Sequence, residues 1–278
     1  SLIYLPLIAN DEVIGVITVQ SFEKQAFNYY HVDIMENLAT YVAISMDNTL
    51  LYENLEEKVE ERTAEIERKT QVIEKKNALI EKKNSDITAS INYAKRIQTA
   101  LLPKIVKVQE VLPESFILFK PRDIISGDFY WFTEKEDKVI IAAVDCTGHG
   151  VPGAFMTMLG TSILNYTIIE RGITNPQEAL KQLDKQLGGT LDDGQEKKSN
   201  DGMDIAICAI DTQNKTIDFA AAKLSLYRIS HGELIRYKGS VHPIGDTRIK
   251  IEKNFPVQEI TYEKGDMMYL ISDGYQDQ

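Results

Sequence analysis

The sequence predicts an α+β protein: two β-sheets with helices outside them, preceded by a long coiled-coil helix and a short strand–strand–helix segment. Three observations predict it. Apolar residues recur at every seventh position from 59 to 101, and neither Pro nor Gly occurs between 52 and 102. From 116 onward, eight short strand-like runs surround one adjacent pair of helical segments. At the start, two alternating runs are joined by the polar turn Asn10-Asp11-Glu12. The composition agrees: 278 residues with 43% apolar, 26% charged, 16 Gly and 8 Pro exclude collagen-like and mostly disordered chains.

In order, 3–7 and 13–19 read as strands, with Gly15 marking a close backbone approach. A helix over 28–51 follows Phe27, and Ile34, Leu38, Val42 and Met46 are its expected buried face. Two strands and a helix cannot enclose a core alone, so 1–51 reads as the end of a domain whose front is missing. The second region, 52–102, is a coiled coil. Half of residues 52–87 are charged (18 of 36), while Val59, Ile66, Ile73, Ile80 and Ile87 form a strict seam continued by Ala94 and Leu101. With that seam as d, the a positions are Thr63, Thr70, Asn77, Asn84 and Ile91. Buried Asn at a favours a parallel two-stranded register, so a homodimer through 52–102 is expected. Fifty helical residues would reach about 75 Å, a rod that separates an input domain from an output domain.

The third region, 103–278, carries predicted strands at 116–120, 129–134, 138–145, 203–211, 216–222, 224–230, 233–238 and 266–272. Helices are predicted at 153–171 and 176–187, the second with Asn175 as N-cap, Pro176 at its first position and a stop at Gly188-Gly189. A polar, mobile loop is expected over 192–202.

Lys+Arg 31 against Asp+Glu 42 gives a net charge of −11, which argues against nucleic acid and anionic membrane as partners. The apolar run 139–144 is far shorter than the roughly 20 residues of a membrane span. No signal peptide is recognisable, the chain opens at Ser1 rather than Met, and both ends read as cut. A cytoplasmic location is expected. Cys146 and Cys208 form no CxxC and read as reduced, packed thiols.

Three acidic residues stand beside glycine at strand ends: Asp128 after Gly127, Asp145 ahead of a Gly-rich loop, and Asp273 before Gly274. Carboxylates so placed can converge, and glycines let carbonyls approach an ion closely. Clustered Asp without Cys or His partners suits Mg²⁺ or Mn²⁺ rather than zinc. Each has a plainer alternative, since Asp-Gly is a common turn and Asp145 can cap the helix that follows. His149 is a candidate proton donor, Arg122 a candidate phosphate ligand or a solvated cation, and Asp201 and Asp204 a candidate third-cation pair or turn residues. Surface or turn roles suffice for His31, His231 and His242.

Two resemblances sharpen this. The runs "YLPLIANDEVIGVITVQS" and "AFNYYHVDIMENLATYVAISMDNTLLYENL" resemble the C-terminal half of a GAF domain, implying a sensory module with an unknown small-molecule or protein signal. The ordered motifs "SGDFYW", "DCTGHGVPGAFMTM", "NDGMDIAICAID", "HPIGD" and "LISDGYQDQ", led by "INYAKRIQTALLP", resemble a SpoIIE/RsbU-type phosphatase of the PPM (PP2C-like) superfamily. That resemblance implies an αββα sandwich over 103–278 and two Mn²⁺ or Mg²⁺ ions. It further implies hydrolysis of phosphoserine or phosphothreonine on a regulatory protein, a STAS-type anti-sigma antagonist by analogy, through activated water and without a phosphoenzyme.

By motif, Asp128 matches the first metal Asp, Asp145 the bridging Asp, Cys146 a backbone-carbonyl position and Asp273 the Asp of the S/T-D-G motif. The family's last ligand, from an Asp-Asp strand, does not occur before residue 278, so this stretch is expected to be weakly active or inactive. The alternative is a catalytically silent scaffold that binds the same partner. No Cys-x5-Arg, GxSxG or Walker A motif supports another hydrolase chemistry.

Overall fold

The computed structural model describes residues 1–191, 201–248 and 251–275. Two compact units divide the chain, Ser1–Lys83 and Asn84–Gln278. In the first unit β1 (Leu2–Ala9) and β2 (Glu12–Gln20) pair antiparallel. Asn10 and Asp11 both take positive φ (50° and 65°), the backbone that a two-residue hairpin loop requires. The helix predicted at 28–51 and the coiled coil at 52–102 are one uninterrupted helix, α1 (Tyr29–Leu101). Its start is a reciprocal cap: the His31 amide donates to Asn28 Oδ1 and the Asn28 amide to His31 Nδ1, both at 3.2 Å.

The expected buried face of the first part of α1 is corrected. Ala39 and Ala43 are buried against Leu7, with Val42 alongside, whereas Ile34, Leu38 and Met46 are exposed. Steps of four residues drift by about 40° each on a helix, so Ile34 and Met46 lie about 120° apart and cannot share one face. The small alanines let the helix lie close on the hairpin.

In the second unit five strands form an antiparallel sheet in the order β3-β4-β5-β6-β9: β3 (Phe129–Lys135), β4 (Lys138–Cys146), β5 (Met203–Asp211), β6 (Thr216–Ala222) and β9 (Gln258–Thr261). Three more, β10 (Met267–Leu270), β7 (Ser225–Ser230) and β8 (Glu233–Lys238), form a second antiparallel sheet. Helices α3 (Gly150–Leu164) and α4 (Pro176–Leu191) cover one face of the larger sheet, and the smaller sheet covers the other. This is the two-sheet sandwich expected from the sequence.

Alternation explains the unbroken apolar runs. Along β4, Ile140, Ala142, Val144 and Cys146 join the helix-side core, while Ile141 joins the core between the sheets. On β5, Ile205, Ile207 and Ala209 face the helices, and Ala206 and Cys208 face the second sheet. Burial on both faces leaves no polar positions in the middle of these strands.

Several boundaries differ from expectation. Residues 116–120 form no strand: Ile117 and Phe119 are half-buried and Phe116 and Leu118 exposed, an alternation with no hydrogen-bonded neighbour among the described residues. The short helix α2 (Ile105–Val111) and strand β9 were not foreseen. The 153–171 helix begins earlier, at Gly150, and ends as a π-helical turn (Asn165–Glu170), where Asn165 Oδ1 accepts from Trp131 Nε1 at 2.9 Å. Asn175 caps α4 as expected, accepting from the Gln177 and Glu178 amides. The helix runs on through Gly188-Gly189 to Leu191 because neighbouring chain packs there: the Gly245 amide donates to Asp184 Oδ1 and Gly245 abuts Leu187. Most of the loop predicted at 192–202 lies outside the described residues.

Phe219 is fully buried in the core between the sheets. Phe219→Ala is expected to cost about 3–5 kcal/mol of stability, read as a lower urea midpoint at unchanged slope.

Candidate metal centre

Strand register brings the acidic residues together. Phe129 of β3 pairs with Val144 of β4, so Asp128 and Asp145 come at neighbouring strand ends. Asp145 in turn pairs with Asp204 of β5. By the β4 alternation, Asp145 points to the gap between the sheets and Cys146 to the helix-side core. From across that gap comes Asp273, which opens a 3₁₀ turn (Asp273–Tyr275) just after β10. Two sheets thus contribute to one cluster, which no sequence spacing reveals.

The electrostatics show that the three carboxyls meet. The Asp145 carboxyl is pushed up from the ordinary 3.8 to about 8, first by burial, then by the charges of Asp128 and Asp273 and by hydrogen bonding with both. Ser272 Oγ donates to Asp128 Oδ2 at 2.8 Å and orients it. Asp204 is also raised, mainly by burial, while its 3.1 Å ion pair with Lys223 opposes the shift and the charge of Asp273 adds to it. The Cys146 thiol is buried and its pKa pushed up, first by burial and then by Asp145, Asp128 and Asp204. It is therefore a packed thiol, while its carbonyl oxygen lies against Gly127, 3.1 Å from where a Cβ on that residue would sit.

Among the described residues no three His, Cys, Asp or Glu side chains close into a finished metal cage. Carboxyls that hydrogen-bond to one another share protons, and a cation would take the place of those protons. The donors are all oxygens, which fits a hard divalent cation such as Mg²⁺ or Mn²⁺. Asp128 and Asp145 are half-buried there and Asp273 is exposed.

The backbone around the cluster is packed to the limit. A Cβ on Gly127 would come within 2.7 Å of the Gly148 carbonyl oxygen, and one on Gly153 within 2.6 Å of the same atom. Thr157 Oγ1 lies 3.0 Å from the carbonyl oxygens of both Ser126 and Gly127. Thr147 clamps the far side: its Oγ1 accepts from the Gly202 amide at 2.9 Å, and its own amide donates to the Gly202 carbonyl at 3.0 Å. Gln98, buried near the end of α1, reaches the same loop. Its Nε2 donates to the Ser126 carbonyl at 2.6 Å and its Oε1 accepts from the Ser126 amide at 3.1 Å.

The other candidates fall elsewhere. His149 is exposed and pairs with Asp123 at 3.1 Å, and Arg122 is exposed. Asp201 precedes β5. His231 sits in the β7–β8 turn with φ 51°, beside Ser230 Oγ. Sequence reasoning missed Ser272, Gln98, Ser126, Thr147, Thr157 and Lys223. Ser272, directly before Asp273, carried the one available signal.

Fold and site together define the class: a PP2C-like (PPM) phosphatase fold with an acidic cluster at the mouth of its sandwich. The chain belongs to the SpoIIE family, since the profile of Stage II sporulation protein E (SpoIIE) matches residues 135–278. A GAF-domain profile matches residues 1–47. Phosphoserine phosphatase RsbU of Bacillus subtilis (strain 168) is 31% identical over 110 residues, 38% of this chain and 31% of the relative. The match thus spans about a third of that relative's length. The solved SiaA-PP2C domain of Pseudomonas aeruginosa superposes with a TM-score of 0.63 at 35% identity, covering 70% of this chain and 75% of that one.

A folded carboxyl raised from 3.8 to about 8 supports stability fully only below the unfolded value, and that support is lost as pH rises through the folded value. In excess chelator, Asp145→Asn is therefore expected to melt higher than the parent at about pH 8, and the gap is expected to narrow toward about pH 5. Thermal melts across that range check this, and a gap independent of pH would contradict it.

Proposed function

We propose that this protein is a metal-dependent serine/threonine phosphatase of bacterial signal transduction. The observation that carries the proposal is the convergence of Asp128, Asp145 and Asp273 from two sheets, with Asp145 held at about 8. In this reading Asp128, Asp145 and Asp273, with the Cys146 carbonyl, would hold two Mn²⁺ or Mg²⁺ ions, Asp145 being the ligand common to both. When bound, such ions activate water and neutralise phosphoryl charge. The chain's own residues do the positioning. Ser272 fixes the rotamer of Asp128, Thr157 and Gln98 hold the 126–127 backbone, and Thr147 ties the 145–148 loop to the start of β5.

The substrate proposed is a phosphoserine or phosphothreonine on a regulatory protein of the STAS type. The RsbU likeness, a phosphoserine phosphatase by name, supports that class. The parts proposed are a GAF-type input in 1–51, a coiled-coil transmitter in 52–102 that pairs two copies in parallel, and the phosphatase in 103–278. Gln98 supports the transmitter role, because it joins α1 to the loop before Asp128. A cytoplasmic location accords with this role. Among the described residues no helix is long and apolar enough to cross a membrane.

The test is hydrolysis of a phosphoserine peptide with and without Mn²⁺. Weak Mn²⁺-dependent turnover that Asp128→Asn and Asp145→Asn abolish is expected of residues 1–278. Turnover indifferent to both Mn²⁺ and Asp145→Asn overturns the proposal, and peptide binding without any turnover favours the silent scaffold. Ser272→Ala is expected to raise the half-saturating Mn²⁺ concentration about 10-fold or more. Gln98→Ala strips the buried Ser126 amide of its partner and is expected to cost about 1–3 kcal/mol of stability, read by denaturant unfolding.

A further inference from the structure

The heptad stripe of α1 has two different surroundings along its length. At Val59, Ile66, Ile73, Ile80 and Ile87 it is open, each residue more than half exposed. The intervening a positions Thr63, Thr70, Asn77 and Asn84 are exposed as well. Between Ile91 and Gln98 the same stripe turns inward. Ile91 and Ala94 are half-buried, Ile91 beside Ile125 and Val151, and Gln98 is 5% exposed and bonded to Ser126. The seam that would seat a partner helix upstream is filled downstream by the chain's own catalytic domain.

The flanks of the open part carry opposite charges, sorted by side. The e positions are Glu60, Glu67, Glu74 and Glu81, and the g positions are Arg62, Lys69, Lys76 and Lys83. Two copies aligned parallel and in register set each g base against the e acid five residues further along the other helix. Arg62 then meets Glu67, Lys69 meets Glu74, and Lys76 meets Glu81. An antiparallel pair would set base against base and acid against acid. In the single chain Arg62 and Lys69 instead reach Glu65 of their own helix, at 3.0 and 2.7 Å, in exposed i,i+3 and i,i+4 pairs of small worth. Asn77 and Asn84 at a favour two strands.

We infer that α1 binds a second copy of this chain in parallel and in register over residues 59–87, and that this interface ends at Ile91. The inference rests on the dimer reading above and narrows its 52–102 span. Beyond Ile87, each helix exchanges its partner helix for its own 123–126 loop. Both copies therefore keep the Gln98–Ser126 contact while paired.

Cysteine cross-linking and sedimentation of the 278-residue chain test this. Under mild oxidation Ile80→Cys is expected to give a disulfide-linked dimer and Ala94→Cys to stay uncross-linked, as the parent does with its two buried cysteines. Cross-linking of Ala94→Cys as readily as Ile80→Cys overturns the end point. Lys69→Glu/Lys76→Glu and Glu74→Lys/Glu81→Lys are each expected to sediment as monomers, and their equimolar mixture as a heterodimer. Charge-reversed proteins that remain homodimers overturn the parallel, in-register pairing. A parent that is monomeric at about 50 μM, together with no cross-link at Ile80→Cys, overturns the dimer reading itself.

Discussion

The gathering of three acidic side chains at the mouth of the sandwich is the constraint on which the second unit depends. Asp128 and Asp145 come from neighbouring ends of one sheet, and Asp273 crosses from the other. Asp145, buried and facing Asp128 and Asp273, is raised to about 8, whereas ordinary aspartates lose their protons well below neutral pH. A protein gains nothing in stability from such an arrangement. The surrounding structure holds the acids in place.

That holding is done by backbone and small polar side chains. Gly127 and Gly153 are glycines because the Gly148 carbonyl occupies the space a Cβ would need. Ser126, ahead of the first acid, is bonded through both its amide and its carbonyl to Gln98, and Thr157 lies against the same carbonyl. Such bonds carry weight because Ser126 is buried, and a lost partner there would not be replaced by water. The loop before Asp128 is thereby tied to the end of α1.

The same helix shows how one periodic stripe can serve two surfaces. A heptad pattern states that a face is apolar, but it does not state what covers that face. Between 59 and 87 the face is open and flanked by sorted charge. From Ile91 to Gln98 it turns inward, and the polar Gln98 at an a position bonds to the Ser126 backbone.

Much was legible in the sequence because local chemistry decided it. The hairpin followed from Asn10-Asp11, the start of α4 from Asn175-Pro176, the heptads from their spacing, and the inner strands from runs with no polar interruption. The identities of Asp128, Asp145 and Asp273 were legible through their neighbours and family motifs. Illegible were features set by contacts distant in the chain. Residues 116–120 alternate like a strand yet have no hydrogen-bonded neighbour among the described residues, and α4 passes through Gly188-Gly189 because the segment around Gly245 packs against it. Which way Asp145 points, that Cys146 points the opposite way, and that Gln98 reaches Ser126 depend on register and sheet packing. The sequence by itself determined which residues carry charge and which segments prefer helix or strand, because those are properties of neighbours. Only the tertiary structure decided which acids share one space, because their meeting depends on how the two sheets stack.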